Sequence, residues 1–243
     1  MRITTLLFAF SLTLASQSLL AEEITDANNI DTTTFWGIQL EELEYRYDDG
    51  VELGAWNSDS FYGNDSRKFR WLSQGEYEEE TNGFSTLENQ LLVQVPISTF
   101  FDAKAGVRFD TPQGINRTYA VVGIAGLAPQ WFEVDVNFYV SEEGGSSADF
   151  DAEYELLLTN WLILTTSFEV DIAFSNDSEI GIRSGLNSTE LGVRLSYDLI
   201  DRSFSPYIGF VQENLYGNSA DDAKDEGEKT DELFFVVGAK INF

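Results

Sequence analysis

Between Phe132 and Val140 the chain changes character at every residue. Phe132, Val134, Val136, Phe138 and Val140 form one row, and Glu133, Asp135, Asn137 and Tyr139 form the other. Alternation with period two specifies an extended strand with an apolar and a polar face. A soluble sheet buries the apolar row against a second layer, whereas a transmembrane barrel turns it to lipid and the polar row to a wet interior. The same pattern recurs. Phe101, Ala103, Ala105, Val107 and Phe109 alternate with Asp102, Lys104, Gly106 and Arg108. Ala148 to Leu156 alternate with Asp149, Asp151, Glu153 and Glu155, and Leu191 to Tyr197 alternate with Glu190, Gly192, Arg194 and Ser196.

From Phe35 onward about twelve such segments can be drawn, at 35–47, 51–58, 67–78, 86–95, 99–109, 117–127, 131–141, 147–158, 161–174, 186–198, 204–215 and 231–243. Their length suits a tilted strand crossing a bilayer, which takes about ten residues. The segments at 117–127 and 204–215 alternate poorly. The links after the fourth, sixth, eighth and tenth segments are tight, and those at 110–116, 142–146, 175–185 and 216–230 are longer and more polar. Short turns at one rim and long loops at the other describe an outer-membrane barrel, with both termini on the periplasmic, short-turn side. The last segment, with Phe235, Val237, Ala239, Ile241 and Phe243 alternating to the C-terminal residue, is the strongest cue. Trp36, Trp56, Trp71, Trp131 and Trp161 are expected near strand ends, as an interfacial girdle.

The first twenty-one residues read as an export signal: Arg2, then the short apolar run from Leu6 to Leu14, then Ala21. Residues 22–34 are polar and unpatterned, and are expected to form a short disordered leader. No later run is long and apolar enough for a transmembrane helix. The expected architecture is therefore all-β: a signal peptide at 1–21, a flexible leader at 22–34, and an antiparallel outer-membrane β-barrel of about twelve strands at 35–243.

Composition narrows the chemistry. There is no Cys and no His, and Met1 is the single Met. The catalytic constellations of barrel phospholipases, acyl transferases and proteases need His, so none can be built, and no enzyme activity is expected. A net charge of −28 makes nucleic acid an improbable partner and cations the natural counter-charge. The polar faces of the seventh and ninth segments place Glu133, Asp135, Glu169 and Asp171 toward the lumen, with Asp149, Asp151, Glu153 and Glu155 on the strand between them. They are the candidate metal-binding carboxylates. The competing reading is a structural one, because Lys68, Arg70, Lys104, Arg108 and Arg194 also point inward and could lock the carboxylates into ion-pair networks. The acidic run from Asp221 to Glu232 reads as a solvated extracellular loop.

Several ordered blocks resemble the copper resistance protein B family of bacterial outer-membrane proteins. They are Arg117-Thr-Tyr-Ala-Val-Val-Gly-Ile-Ala-Gly-Leu-Ala-Pro-Gln-Trp-Phe-Glu-Val-Asp135, Glu153-Tyr-Glu-Leu-Leu-Leu-Thr-Asn-Trp-Leu-Ile-Leu164, Gly185-Leu-Asn-Ser-Thr-Glu-Leu-Gly-Val-Arg-Leu-Ser-Tyr197 and Phe204-Ser-Pro-Tyr-Ile-Gly209. Ala105-Gly-Val-Arg-Phe-Asp110 and the C-terminal Phe243 fit as well. The resemblance implies an outer-membrane barrel serving copper tolerance alongside a periplasmic multicopper oxidase; outer-membrane lipid is the partner expected of the apolar rows, and the strand ending at Phe243 resembles the signal read by the barrel-assembly machinery. The resemblance also implies a His- and Met-rich segment before the barrel, which residues 22–34 do not contain. Copper is the implied ligand. Cu(I) prefers thioether or thiolate and Cu(II) favours imidazole, so the donors here are the oxygen ligands that hard ions prefer. A generic structural barrel or weak cation-selective pore is the alternative.

Overall fold

The computed structural model describes residues 33–48, 51–79, 82–200, 202–227 and 229–243. The expected export signal and most of the expected leader lie outside them. Twelve antiparallel strands close into a barrel in sequence order. They are β1 (Phe35–Asp48), β2 (Val51–Asn64), β3 (Arg67–Glu78), β4 (Gly83–Pro96), β5 (Phe101–Asp110), β6 (Arg117–Ala128), β7 (Phe132–Ser141), β8 (Ser146–Leu157), β9 (Leu162–Ala173), β10 (Gly185–Tyr197), β11 (Phe204–Leu215) and β12 (Asp231–Asn242).

Closure is made by β1 against β12, with Leu40 opposite Ile241, Tyr45 opposite Val237 and Tyr47 opposite Phe235. The terminal Phe243 completes it: its N–H donates to the Ile38 carbonyl at 2.9 Å, and its own carbonyl accepts from Ile38 at 3.2 Å. A closed barrel leaves no open edge, which is what a strand protein needs in lipid. The apolar rows face outward. Phe132, Val136, Phe138 and Val140 are exposed, whereas Asn137, Tyr139 and Ser141 are buried in the interior. Among the described residues no helix is long and apolar enough to cross a membrane.

Three local expectations are corrected, and the poor alternation of two segments is explained. Residues 59–64 are strand, not loop. β2 continues to Asn64, whose side-chain oxygen accepts from the N–H groups of Ser66 and Arg67 at 3.0 and 3.1 Å and so builds a two-residue turn. The poorly alternating segments, β6 and β11, have apolar side chains on both faces. Tyr119 and Val121 pack inside with Leu92 and Tyr139, and Tyr207 and Val211 pack inside with Leu53, Ala55, Phe234 and Val236. The acidic loop carries a helix, α1 (Gly217–Glu226), that buries Ala220 and Ala223 and ends at Gly227, whose φ of 87° suits glycine. Trp56 and Trp71 lie inside their strands rather than near the ends.

The loop pattern holds. The links 97–100, 129–131, 158–161 and 198–203 form one rim, and 111–116, 142–145, 174–184 and 216–230 form the other. The first hairpin departs from it, with only two residues between Asp48 and Val51 on the long-loop side.

Candidate functional site: the acidic lumen

The inward rows enclose a cavity of about 880 Å³. Among the described residues fifteen carboxylates and seven Lys or Arg side chains line it, so the interior is strongly anionic. At the short-turn rim it is lined by Leu127, Glu133, Arg202 and Asn242, and among the described residues none from the long loops lines it.

All four candidate carboxylates, Glu133, Asp135, Glu169 and Asp171, line this cavity. Strand register explains their placement. Asp135 stands opposite Asp151, and Asp151 opposite Glu169. One step toward the long loops, Asn137 stands opposite Asp149, and Asp149 opposite Asp171. The Asp135 row continues through Glu190, Glu213 and Glu232, giving one carboxylate in register on each of six consecutive strands. Like charges placed directly opposite repel, so this row is not what strand pairing alone would select.

The four candidates do not form one cluster. Asp135 gathers instead with Asp149 and Asp151, one oxygen from each lying within 4.8 Å of the others. Asp135 pairs with Lys104 and accepts from Asn137 Nδ2 at 3.0 Å. Asp149 accepts from the Tyr139 hydroxyl and from Asn137 Nδ2 at 2.8 Å. Gly123 makes room there, because a side chain would collide with the Asn137 amide and the Lys104 stem. Asp171 accepts from Ser188 Oγ at 2.5 Å. Glu133 and Glu169 make no hydrogen bond or ion pair among the described residues.

The inward cations do build ion-pair networks. Arg108 joins Glu88 and Asp110 on its own wall and lies over the rings of Tyr119 and Tyr139 at 5.3 and 4.8 Å. Arg70 holds Asp59 at 2.6 Å. The densest network was missed in the sequence. Arg46 lies within 2.6–3.7 Å of Glu42, Glu44, Glu76, Glu190 and Glu213. Arg194, only 2 % exposed, reaches Glu42 at 2.8 Å and Glu44 at 3.1 Å, and the Tyr207 hydroxyl donates to Glu44 at 2.9 Å. A bulge in β1 puts both Glu41 and Glu42 against the cavity, since the pairing with β2 skips Glu41. Glu42, Glu44 and Arg46 alternate with Leu43 and Tyr45, and that was the signal available in the sequence.

On the long-loop rim, Arg117 bonds Asp177 at 2.8 Å and Glu179 at 2.6 Å, and holds the Asp177 carboxyl below its ordinary range. Arg183 bonds Asp222 of α1 at 2.6 Å.

Closure, outward apolar rows and a charged interior together define an outer-membrane β-barrel. Solved barrels share the fold: the KdgM porin aligns over 85 % of this chain and 99 % of its own at 13 % identity and a TM-score of 0.52. The NanC porin aligns over the same shares at 8 % identity and 0.54. The family model described as copper resistance protein B precursor (CopB) matches residues 34–243. Copper resistance protein B of Escherichia coli is 38 % identical over 88 % of this chain and 71 % of its own length. The copper resistance protein B homolog of Pseudomonas syringae pv. tomato (strain ATCC BAA-871 / DC3000) is 34 % identical over 80 % of this chain and 65 % of its own. The chain belongs to the copper resistance protein B family, and its role is copper resistance at the outer membrane.

Proposed function

We propose that the barrel serves copper resistance by holding or passing Cu(II) as a cargo ion along the acidic lumen, without catalysing a reaction. The observation that carries this reading is the cavity itself, anionic and reaching the short-turn rim, which in barrels of this kind faces the periplasm. The donors suit only part of copper chemistry. With no Cys or His and a single Met at the first position, soft-ligand capture of Cu(I) has no site in these 243 residues. Carboxylate and amide oxygens take Cu(II) weakly and exchange it readily. Handling of Cu(I) then falls to a partner, and a periplasmic multicopper oxidase is the class whose chemistry complements this barrel. Outer-membrane lipid and the barrel-assembly machinery, through the strand ending at Phe243, complete the proposed partners.

The test replaces Glu133, Asp135, Glu169 and Asp171 by their amides together. The variant should assemble as a barrel, lose Cu(II) binding in titrations of the purified protein, and fail to restore copper tolerance to a strain lacking the gene. Full tolerance from the assembled variant would remove the luminal carboxylates from the mechanism. Tight stoichiometric Cu(I) capture by the parent would overturn the donor argument.

A further inference from the structure

The two walls that Arg46 connects lie far apart around the barrel. Glu76 is on β3 and Glu190 on β10, separated by β2, β1, β12 and β11. Yet Arg46 Nη1 lies 3.1 Å from Glu76 Oε1 and 3.1 Å from Glu190 Oε2, and 2.6 Å from Glu213 Oε1. One guanidinium nitrogen therefore spans the lumen between nearly opposite walls. Arg108 differs, because its partners on β4 to β7 are all neighbours on one wall.

The charge balance at the crossing is uneven. Among the described residues Glu42, Glu44, Glu76, Glu190 and Glu213 form ion pairs with Arg46 and Arg194 alone. Taking Arg46 away leaves a ring of carboxylates with one guanidinium among them, a lining that selects cations. We propose that Arg46 is a cross-bar that sets the bore of the lumen: a tethered cation occupying a five-carboxylate site, whose displacement leaves a cation-selective pathway. The ligand class of that site is small inorganic cations, for which the guanidinium stands in. This inference deepens the reading of the lumen as a cation path, but it is read with potassium, so its failure and that of the copper reading are separately visible.

The test is planar-bilayer recording in potassium chloride of the refolded full-length barrel, its Arg46→Gln variant and an Arg108→Gln variant. Folding of each is checked by heat-modifiable gel mobility. Arg46→Gln should raise single-channel conductance on the order of tenfold and shift the reversal potential further toward cation selectivity, while Arg108→Gln raises conductance far less. A Glu76→Gln/Glu190→Gln double variant cuts the bar at both ends and keeps Arg46 paired with Glu42, Glu44 and Glu213. It should show an intermediate rise, and it decides the matter if Arg46→Gln does not fold. Unchanged conductance in the folded variants, an equal rise in Arg108→Gln, or anion selectivity after Arg46 is removed would overturn the proposal.

Discussion

On β1, β10 and β11, the carboxylates of Glu42, Glu44, Glu190 and Glu213 each have a guanidinium between 2.6 and 3.1 Å away. On β7 to β9, of Asp135, Asp149, Asp151, Glu169 and Asp171, Asp135 alone forms an ion pair among the described residues, with Lys104. The difference separates two uses of the same residue type. Buried ion pairs recover little net stability after desolvation, but removing one partner leaves an uncompensated charge, so they fix geometry firmly. Carboxylates stacked in register without cations repel one another, which drives them to take up a mobile counter-ion or a proton. One wall carries its cations covalently, and the other is left to recruit them.

The largest effect is expected from breaking the paired wall. Arg194→Ala takes from Glu44, whose side chain is fully buried, one of its two guanidinium partners, leaving Arg46 and the Tyr207 hydroxyl, and weakens the hold on Glu42. The barrel should lose about 1.5–3 kcal/mol, the range for losing hydrogen bonds to a charged group, read from the urea midpoint of the folded-to-unfolded transition. Adding Glu44→Gln removes the buried charge that has lost a partner and should restore part of the loss. If the single variant unfolds at the parent midpoint, the network is not holding the wall.

Much of this arrangement was legible in the sequence. Nearly every strand boundary lies within a few residues of its expected place, because lipid outside and charge inside impose alternation wherever both sides are uniform. β6 and β11 resisted because Val121 and Val211 face an interior that is locally apolar. The inward direction of Glu133, Asp135, Glu169 and Asp171 was equally visible. Their grouping was not, since the approach of Asp135 to Asp149 and Asp151 depends on register rather than on spacing along one strand. Arg46 shows the deeper limit. Its partners Glu190 and Glu213 are 144 and 167 residues away, and only closure and strand stagger decide that they meet.

The unpaired wall should respond with the opposite sign. Asp151 makes no hydrogen bond or ion pair among the described residues and stands between Asp135 and Glu169. Asp151→Asn keeps the shape and removes one like charge from the row. Stability should rise by about 0.2–1 kcal/mol, measured by the same urea transition. A loss of stability would mean that Asp151 is held by a counter-ion, which adding or chelating divalent cations during unfolding would reveal.

The smallest effect belongs to the long-loop rim, where one loop pairing can titrate without moving the barrel. Arg117 holds the Asp177 carboxyl below its ordinary value, chiefly by the side-chain hydrogen bond. A depressed carboxyl contributes stability that is present above its unfolded pKa and lost as pH falls through the folded one. The anchor of the 174–184 loop should therefore be indifferent to pH from neutrality down to about 5, and should weaken only below about 4. The change should be slight, because Arg117 keeps Glu179 as a second partner and the backbone groups of Asp177 and Ile182 bond each other at 2.8 and 3.0 Å. Hydrogen exchange of the loop amides as a function of pH, corrected for intrinsic rates, measures it. Asp177→Asn should give the weakened, acid-like exchange at neutral pH. Loosening that begins near pH 6 in the parent would place the controlling group elsewhere than at Asp177.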